Sequence, residues 1–321
     1  MTRRALVSGG AGFIGSHVAE SLLADGWDVE VLDDLSSGRR ENVPAGVTFH
    51  HHDIGSPDAA RIVRDGAFDL LCHLAAQIDV RRSVTDPAHD ARVNIVGSLN
   101  LLEAVRAGGH PTRVVFSSTG GAIYGDFVAI PSVEDMPKDP ESPYGIAKFS
   151  VELYLAYYAR VHGLDTVSLR YSNVYGPRQD PHGEAGVVAI FCNRLLTGEA
   201  LTVFGDGKQT RDYVYAGDVA RANLAAATAV LPPPRQVDVR AYNIGTGRET
   251  SVLELAETLQ RAAGRSVAVH HTPARAGELP RSAVTNAKAA RELGWSPVVS
   301  LEDGLRETFG YFAAHARGTA A

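Results

Sequence analysis

The stretch that most restricts this chain is "SGGAGFIG", Ser8 to Gly15. It follows a short apolar run, "RALVS", and opens an amphipathic one, Phe13 to Asp25. The first run reads as a buried strand and the second as a helix. Gly9, Gly12 and Gly15 recur at every third position between them. Glycines there allow a tight turn and a close approach of the backbone to a pyrophosphate. The helix behind them offers free N–H groups and the positive end of its dipole. The next strand, "DVEVLD", ends in Asp33, roughly 20 residues beyond the glycines, where an acid hydrogen-bonds the hydroxyls of an adenosine ribose. A carboxylate there also repels the extra phosphate of NADP. The pattern therefore points to NAD, with Arg39 and Arg40 arguing the other way.

Further strand-like runs follow in "VTFHHHDI", "LLCHLAA", "RVVFSS", "DTVSLRYSNV" and "RAYNIGTG", with helical patterns between the earlier ones. Alternating strands and helices imply a parallel sheet with right-handed crossovers. The expected fold class is α/β: a Rossmann-type doubly wound parallel sheet with a smaller mixed α/β C-terminal substrate lobe. The NAD-binding domain is expected over 1–173, with a returning segment near 236–262, and the substrate lobe mainly over 174–321. A chain of 321 residues, 45% apolar, suits that division. The formal net charge of −6 leaves no basic stripe for a nucleic acid. No apolar run approaches the roughly 18 residues of a membrane span, and the glycine turn comes too early for a secretory leader. Cys72 and Cys192 lie in apolar contexts and read as small hydrophobes. A cytoplasmic setting is expected. His50, His51 and His52 alternate faces of a strand and cannot converge on one ion, so no metal is expected.

In "ESPYGIAK" a tyrosine stands four residues before a lysine. Ser142 suits an N-cap and Pro143 the first helical position, so Tyr144 and Lys148 share one helix face. An isolated pair of this kind is ordinarily a solvated polar face. Here "FSSTGGAIYG" ends another strand upstream and brings Ser117, Ser118 and Thr119 to the carboxyl edge of the sheet, where ligands of such folds sit. A phenol can act as acid and base on a carbinol hydroxyl. Its ordinary pKa of about 10 is too high at neutral pH, and a lysine cation and a nicotinamide ring would both lower it. Thr119 or Ser118 would share a hydrogen bond with the substrate oxygen.

The chain resembles the extended short-chain dehydrogenase/reductases, most closely the nucleotide-sugar 4-epimerases of the UDP-glucose 4-epimerase type. The matching pieces run in order along essentially the whole chain: "GGAGFIGSHV", "LDDLSSGRRENV", "HLAAQIDVRRSV", "NIVGSLNLLEA", "SSTGGAIYGD", "SPYGIAK", "RYSNVYGPRQ", "VFGDGKQTRDYVY", "NIGTG" and "PARAGELPRS". The resemblance implies that Tyr144 and Lys148 are the catalytic pair, with Lys148 also on the nicotinamide ribose. Phe13, Ile14, Leu35, Ser37 and Gly38 would join the glycines and Asp33 around the cofactor. Asp53 and Ile54 would flank its adenine, and Leu74, Ala75, Ala76 and Gln77 would line its cleft. Asn94, Ser117 and Tyr171 would complete that side. On the substrate, Gln77, Thr119, Gly120 and Asn173 would meet the sugar or its phosphate. Val188, Val203 and Phe204 would hold the uracil, Arg211 and Arg275 would clamp the diphosphate, and Arg178 and Glu278 would lie alongside. A homodimer built from helices near 90–107 and 143–162 is also implied.

Related sugar dehydratases carry Asp-Glu directly after the catalytic Thr, and the decarboxylases a Glu. Here Thr119 is followed by Gly120 and Gly121, so elimination and decarboxylation lack their acid–base partner. The expected reaction is NAD-dependent 4-epimerisation of a UDP-hexose, UDP-glucose or UDP-galactose and their N-acetylated forms, through a transient 4-keto sugar. Ser282, where similar epimerases carry a bulky Tyr, leaves room for an N-acetyl group. UDP-glucuronate is the alternative substrate, with Arg178 and His182 as candidates for its carboxylate. A dehydratase and a non-catalytic NAD-binding protein remain further alternatives. One extra residue before Tyr124, relative to the usual epimerase pattern, leaves open which of Thr119 and Ser118 meets the substrate.

Overall fold

The computed structural model describes residues 2–126, 128–181, 186–274 and 279–318. β1 (Arg4–Ser8) feeds α1 (Phe13–Ala24), followed by β2 (Asp28–Asp33), β3 (Thr48–His51), α2 (Pro57–Asp65) and β4 (Leu70–His73). Two short helices, α3 (Val80–Thr85) and α4 (Pro87–Ala91), run through a π turn at Arg92–Val96 into α5 (Gly97–Gly108). β5 (Arg113–Thr119), α6 (Pro143–His162) and β6 (Asp165–Tyr171) complete the first half. The second half holds β7 (Asn173–Tyr175), α7 (Val187–Thr197), β8 (Leu201–Phe204), β9 (Thr210–Arg211), β10 (Tyr213–Tyr215) and α8 (Ala216–Thr228). After these come β11 (Ala241–Ile244), β12 (Thr250–Ser251), α9 (Val252–Ala263), β13 (Val269–Thr272), β14 (Arg281–Ser282), α10 (Ala287–Leu293) and α11 (Leu301–Gly318).

Seven strands form one sheet in the order β11-β6-β5-β4-β1-β2-β3, parallel throughout. This is a Rossmann-type doubly wound fold. The strand order reverses between β1 and β4, and the crevice beyond their carboxyl ends is where such sheets take ligands. Both faces of the sheet are covered, so its strands read as continuous apolar runs. On one face α1 and α8 close over Val7, Val31 and Leu169; on the other α2, α5 and α6 close over Leu6, Leu71 and Val114.

The elements of the second half divide between two cores. α8 packs on α1 through Ala220, Ala222 and Ala226 and joins the sheet's core. Of the returning segment, β11 enters the sheet beside β6. Its continuation α9 turns Leu255 and Leu259 into a separate core with α7, β8 and α11. The reason is amphipathicity: α9 has one strong apolar stripe and must bury it on the smaller lobe. No described helix is long and apolar enough to cross a membrane.

Candidate active site

Gly9 adopts φ +75°, and a Cβ there would stand 2.6 Å from the Ala75 nitrogen. Only glycine fits this turn, which brings the end of β1 against the loop after β4. Gly12 is the N-cap of α1. It has no side chain to compete for the N–H groups of the first turn, which a pyrophosphate would take. Asp33 is 7% exposed and is held from two sides: Ala11 N–H donates to Oδ2 at 3.0 Å and Leu35 N–H to Oδ1 at 2.8 Å. Burial raises its carboxyl above the ordinary range. Each oxygen keeps a lone pair for a ribose hydroxyl. Leu35 takes a left-handed backbone, φ 60°, to fold the following loop back. A Cβ on Gly38 would come within 2.8 Å of Asp33 Oδ1. Ser37 lies exposed on this loop, and Phe13 and Ile14 are half-buried on α1. Asp53 is exposed and accepts from its neighbour Gly55 N–H at 2.6 Å, while Ile54 is 5% exposed and packs into the core. Leu74 N–H and Ala75 N–H both donate to the Ser8 carbonyl, at 2.9 and 3.0 Å, and Ala76 follows half-buried. A cradle of small residues, an uncapped helix start and a buried carboxylate fit a dinucleotide. Of the two arginines that argued for NADP, Arg40 lies on the Phe49 ring, 4.6 Å from its centroid, and Arg39 is 3.8 Å from Glu41.

Ser142 caps α6, accepting from Gly145 N–H at 3.2 Å, with Pro143 in the first turn. Tyr144 and Lys148 lie on one face. The Lys148 ammonium is 5.9 Å from the Tyr144 ring centroid and donates to the Ser117 carbonyl at 2.9 Å. This ties the catalytic-type pair to β5, two residues before Thr119. Burial lowers Lys148 to about 8, with Asp90 opposing the fall. Tyr144 departs from expectation: burial first, and then the negative charge of Asp90, push its phenol above its ordinary value. No influence of Lys148 offsets this rise.

Side chains alternate along β5. Ser117 and Thr119 share the half-buried face, and Ser118 is 3% exposed on the other. Ser118 donates to Glu152 Oε1 at 2.5 Å. Glu152 is itself gripped by the fully buried Arg170, with Nη2 to Oε2 at 2.6 Å, and Arg170 also reaches Tyr124, Glu134 and Asp238. Ser118 is therefore removed as a candidate for the substrate hydroxyl, and Thr119 stays. Sequence reasoning missed the Glu152–Arg170 pair; its signal was a charged residue inside each of two otherwise apolar runs.

Three of the cofactor-side candidates have their side chains engaged within the protein. The Tyr171 phenol is 5% exposed and hydrogen-bonds with Asn223 on α8. The Gln77 amide is fully engaged, donating to the Asp79 carbonyl and Asp90 Oδ1 and accepting from Asp79 N–H. Asn94, on the π turn, clasps the Gln77 backbone on both sides and donates to Asp90 Oδ1, each at 2.9 Å. These side chains build the cleft wall.

On the substrate side, Gly121 marks where the candidate residues converge. A Cβ there would lie 3.8 Å from Ser282 Oγ, 3.9 Å from Asn173 Oδ1 and 4.0 Å from Thr119 Oγ1. Gly120 is packed behind, its N–H on the Tyr171 carbonyl at 2.7 Å. β12, β9 and β14 form a small sheet that sets Ser282 in register with Arg211. Asp212, fully buried, holds it to the "NIGTG" turn through Thr246 and Gly247. On β8, Val203 points into the lobe's core and Phe204 to the half-buried face, and Val188 is 1% exposed in that same core. Of the three uracil candidates, Phe204 is the one that is not fully buried. Arg178 is also corrected. Its guanidinium reaches back to α1, donating to Glu20 Oε1 and Oε2 at 2.5 and 2.6 Å and to His17 Nδ1 at 2.8 Å. Arg275, Glu278 and His182 lie outside the described residues.

The model of the NAD dependent epimerase/dehydratase family matches residues 5–245. The UDP-glucose 4-epimerase of Mycolicibacterium smegmatis is 45% identical, over 96% of this chain and 98% of that one. The crystal structure of Thermotoga maritima UDP-glucose 4-epimerase with UDP-glucose superposes with a TM-score of 0.92 at 47% identity, over 99% of this chain and 100% of that one. The Thermus thermophilus UDP-glucose 4-epimerase, in complex with NAD, gives 0.89 at 45%, over 96% and 98%.

Proposed function

The chain belongs to the NAD dependent epimerase/dehydratase family, and from that premise we propose that it interconverts UDP-hexoses epimeric at carbon 4, with Tyr144, Lys148 and Thr119 as its catalytic residues. The observation that carries this reading is the convergence of Thr119, Asn173 and Ser282 around Gly121, with the Tyr144–Lys148 helix tied to the same strand. Bound NAD supplies the acceptor of a hydride from carbon 4 and returns that hydride to the other face of the ketone.

The chain's own residues do the rest. The Tyr144 oxygen takes the proton of the 4-hydroxyl and gives it back. Lys148 supplies the positive charge that stabilises the phenolate. Thr119 shares a hydrogen bond with the same substrate oxygen and orients it. Asn173 and Ser282 bound the sugar, and Arg211 and Phe204 serve the diphosphate and the uracil, an arginine fork suiting phosphate oxygens. No carboxylate stands directly after Thr119, where Gly120 and Gly121 follow, which favours epimerisation over elimination. The UDP-glucuronate alternative loses its described cation, because Arg178 is bound to Glu20 and His17.

The reading extends to a homodimer. Ile146, Leu153, Tyr157 and Val161 form an exposed apolar stripe on α6, with Val96 exposed on the adjoining π turn. Packing two such helix pairs together would cover it.

The test is chromatography of end products from UDP-glucose, UDP-N-acetylglucosamine and UDP-glucuronate, each incubated separately without added reductant. A carbon-4 epimer from either neutral sugar is the expected result. A ketone accumulating with NADH, and no epimer from any of the three, would overturn the reading.

A further inference from the structure

α4 packs against α6 and delivers one acidic side chain, Asp90, to the wall behind Tyr144 and Lys148. Asp90 is 1% exposed. Its Oδ1 accepts from the Gln77 and Asn94 amides, each at 2.9 Å. Its Oδ2 is buried and meets no hydrogen-bond donor among the described residues. The orientation is locked, because both amides are held elsewhere as well: Gln77 by Asp79, Asn94 by the Gln77 backbone. A buried carboxylate with an unshared oxygen is costly unless a positive charge stands near. The cation whose charge reaches it is Lys148, on the helix α6 against which α4 packs; its ammonium has three donors and gives one to the Ser117 carbonyl.

We infer that Asp90 is a positioning residue for the reaction: a fixed, buried counter-charge that keeps Lys148 cationic behind the cofactor site. It thereby sets the pH range over which Tyr144 and Lys148 work as a pair. The inference rests on the assignment of Tyr144 and Lys148 as that pair.

The surroundings single Asp90 out. The Asp90 charge raises both Tyr144 and Lys148, and burial raises Asp90's own carboxyl, opposed by the Gln77 hydrogen bond and the Lys148 charge. On β4, His73 is buried between Ser8 and Ser98 and held neutral, its pKa lowered to about 3 by burial first and the Lys148 charge second. Around α4, Arg81 and Arg82 on α3 and Arg92 on the π turn are exposed, Asp79 is half-buried at the cap of α3, and His89 is half-buried on α4 itself.

Removing the charge of Asp90 lets Lys148 lose its proton at lower pH and lets Tyr144 ionise at lower pH. In a bell-shaped profile of kcat/KM the acid limb reports Tyr144 and the alkaline limb Lys148. In NAD-loaded Asp90→Asn both limbs are expected to move toward acid by about one pH unit, whereas Asp90→Glu, which keeps the charge, should leave them near their original positions. A merely structural role would lower the rate at every pH and move neither limb. Unmoved limbs in folded, NAD-loaded Asp90→Asn would overturn the inference, as would an equal acid shift in Asp90→Glu. Should Asp90→Asn fail to fold, Asp90→Ser carries the same comparison. Tyr144→Phe separates the two readings: if it retains full activity, the catalytic pair itself is misassigned, whereas if it is inactive and the Asp90 limbs stand still, only the role of Asp90 falls.

Discussion

Ser118 and Thr119 are neighbours in the chain and lie on opposite faces of β5, and that single alternation separates structure from chemistry. Ser118→Ala leaves Glu152 short of one donor in a buried network. It should cost about 1–3 kcal/mol of stability and change kcat little. Thr119→Val removes the hydroxyl proposed to meet the sugar and should lower kcat while the melting temperature holds. Thermal unfolding and steady-state kinetics on the two variants check this together, and a reversed pattern would return Ser118 to the site. The room beside Thr119 can be probed in the same way. A methyl at Gly121 meets Ser282, Asn173 and Thr119 at ordinary contact distances, so Gly121→Ala should fold normally and raise KM by occupying the sugar pocket. Ser282→Tyr should selectively suppress turnover of N-acetylated hexoses. An unchanged ratio of acetylated to plain hexose turnover would show that this wall does not set the preference.

At the scale of elements, α6 joins three tasks: it carries Tyr144 and Lys148 on one face, Glu152 toward Arg170, and an apolar stripe outward. Arg170→Met deletes one partner of a fully buried pair and leaves Glu152 uncompensated, a loss of about 3–5 kcal/mol readable by denaturant unfolding. On the proposed dimer, the parent chain is expected to sediment as a dimer, and Leu153→Asp, on the outward stripe, should leave the fold intact and yield a monomer. Much of this helix was legible in the sequence, because Ser142, Pro143 and the four-residue spacing are local signals. The strand alternation was equally legible, and it would have placed Ser118 in the core had it been applied to "FSST". What local signals do not carry is the partner across the fold. Gln77 reads as a cleft residue, but that Asp79 and Asp90 hold its amide is not legible there. Tyr171 reads the same way until Asn223 meets its phenol. Val203 and Phe204 differ only in which side of β8 faces the smaller core. Arg178 reads as a ligand's cation until α1, 158 residues earlier in the chain, supplies Glu20.

Arg178 matters most at the scale of the whole molecule, because it links the segment after β7 to the very helix whose N-terminus would receive the pyrophosphate. The link has a fixed protonation. Arginine can only donate, so His17 Nδ1 must accept from it, and the proton sits on Nε2, which donates to the Pro177 carbonyl at 2.9 Å. Burial first, and the Arg178 charge second, lower the His17 pKa below 6.5. A group whose pKa is depressed on folding contributes stability that is complete above its unfolded value and is lost as pH falls through the folded one. Acidification from pH 7.5 to 5 should therefore loosen this link, with His73 contributing a loss of the same sign, its pKa lying near 3 in the fold. His17→Gln cannot take up a proton, so it removes only the first contribution. Its melting temperature should fall less over that interval than the parent's, the remaining slope being due to His73 and the carboxylates. A fall as steep as the parent's would mean that His17 does not titrate against the fold and that Glu20 alone holds Arg178. Arg178→Ala then distinguishes anchoring from substrate binding. It should lower the melting temperature by an amount corresponding to about 1–3 kcal/mol and raise KM equally for UDP-glucose and UDP-N-acetylglucosamine. A substrate role would instead appear as a loss confined to UDP-glucuronate.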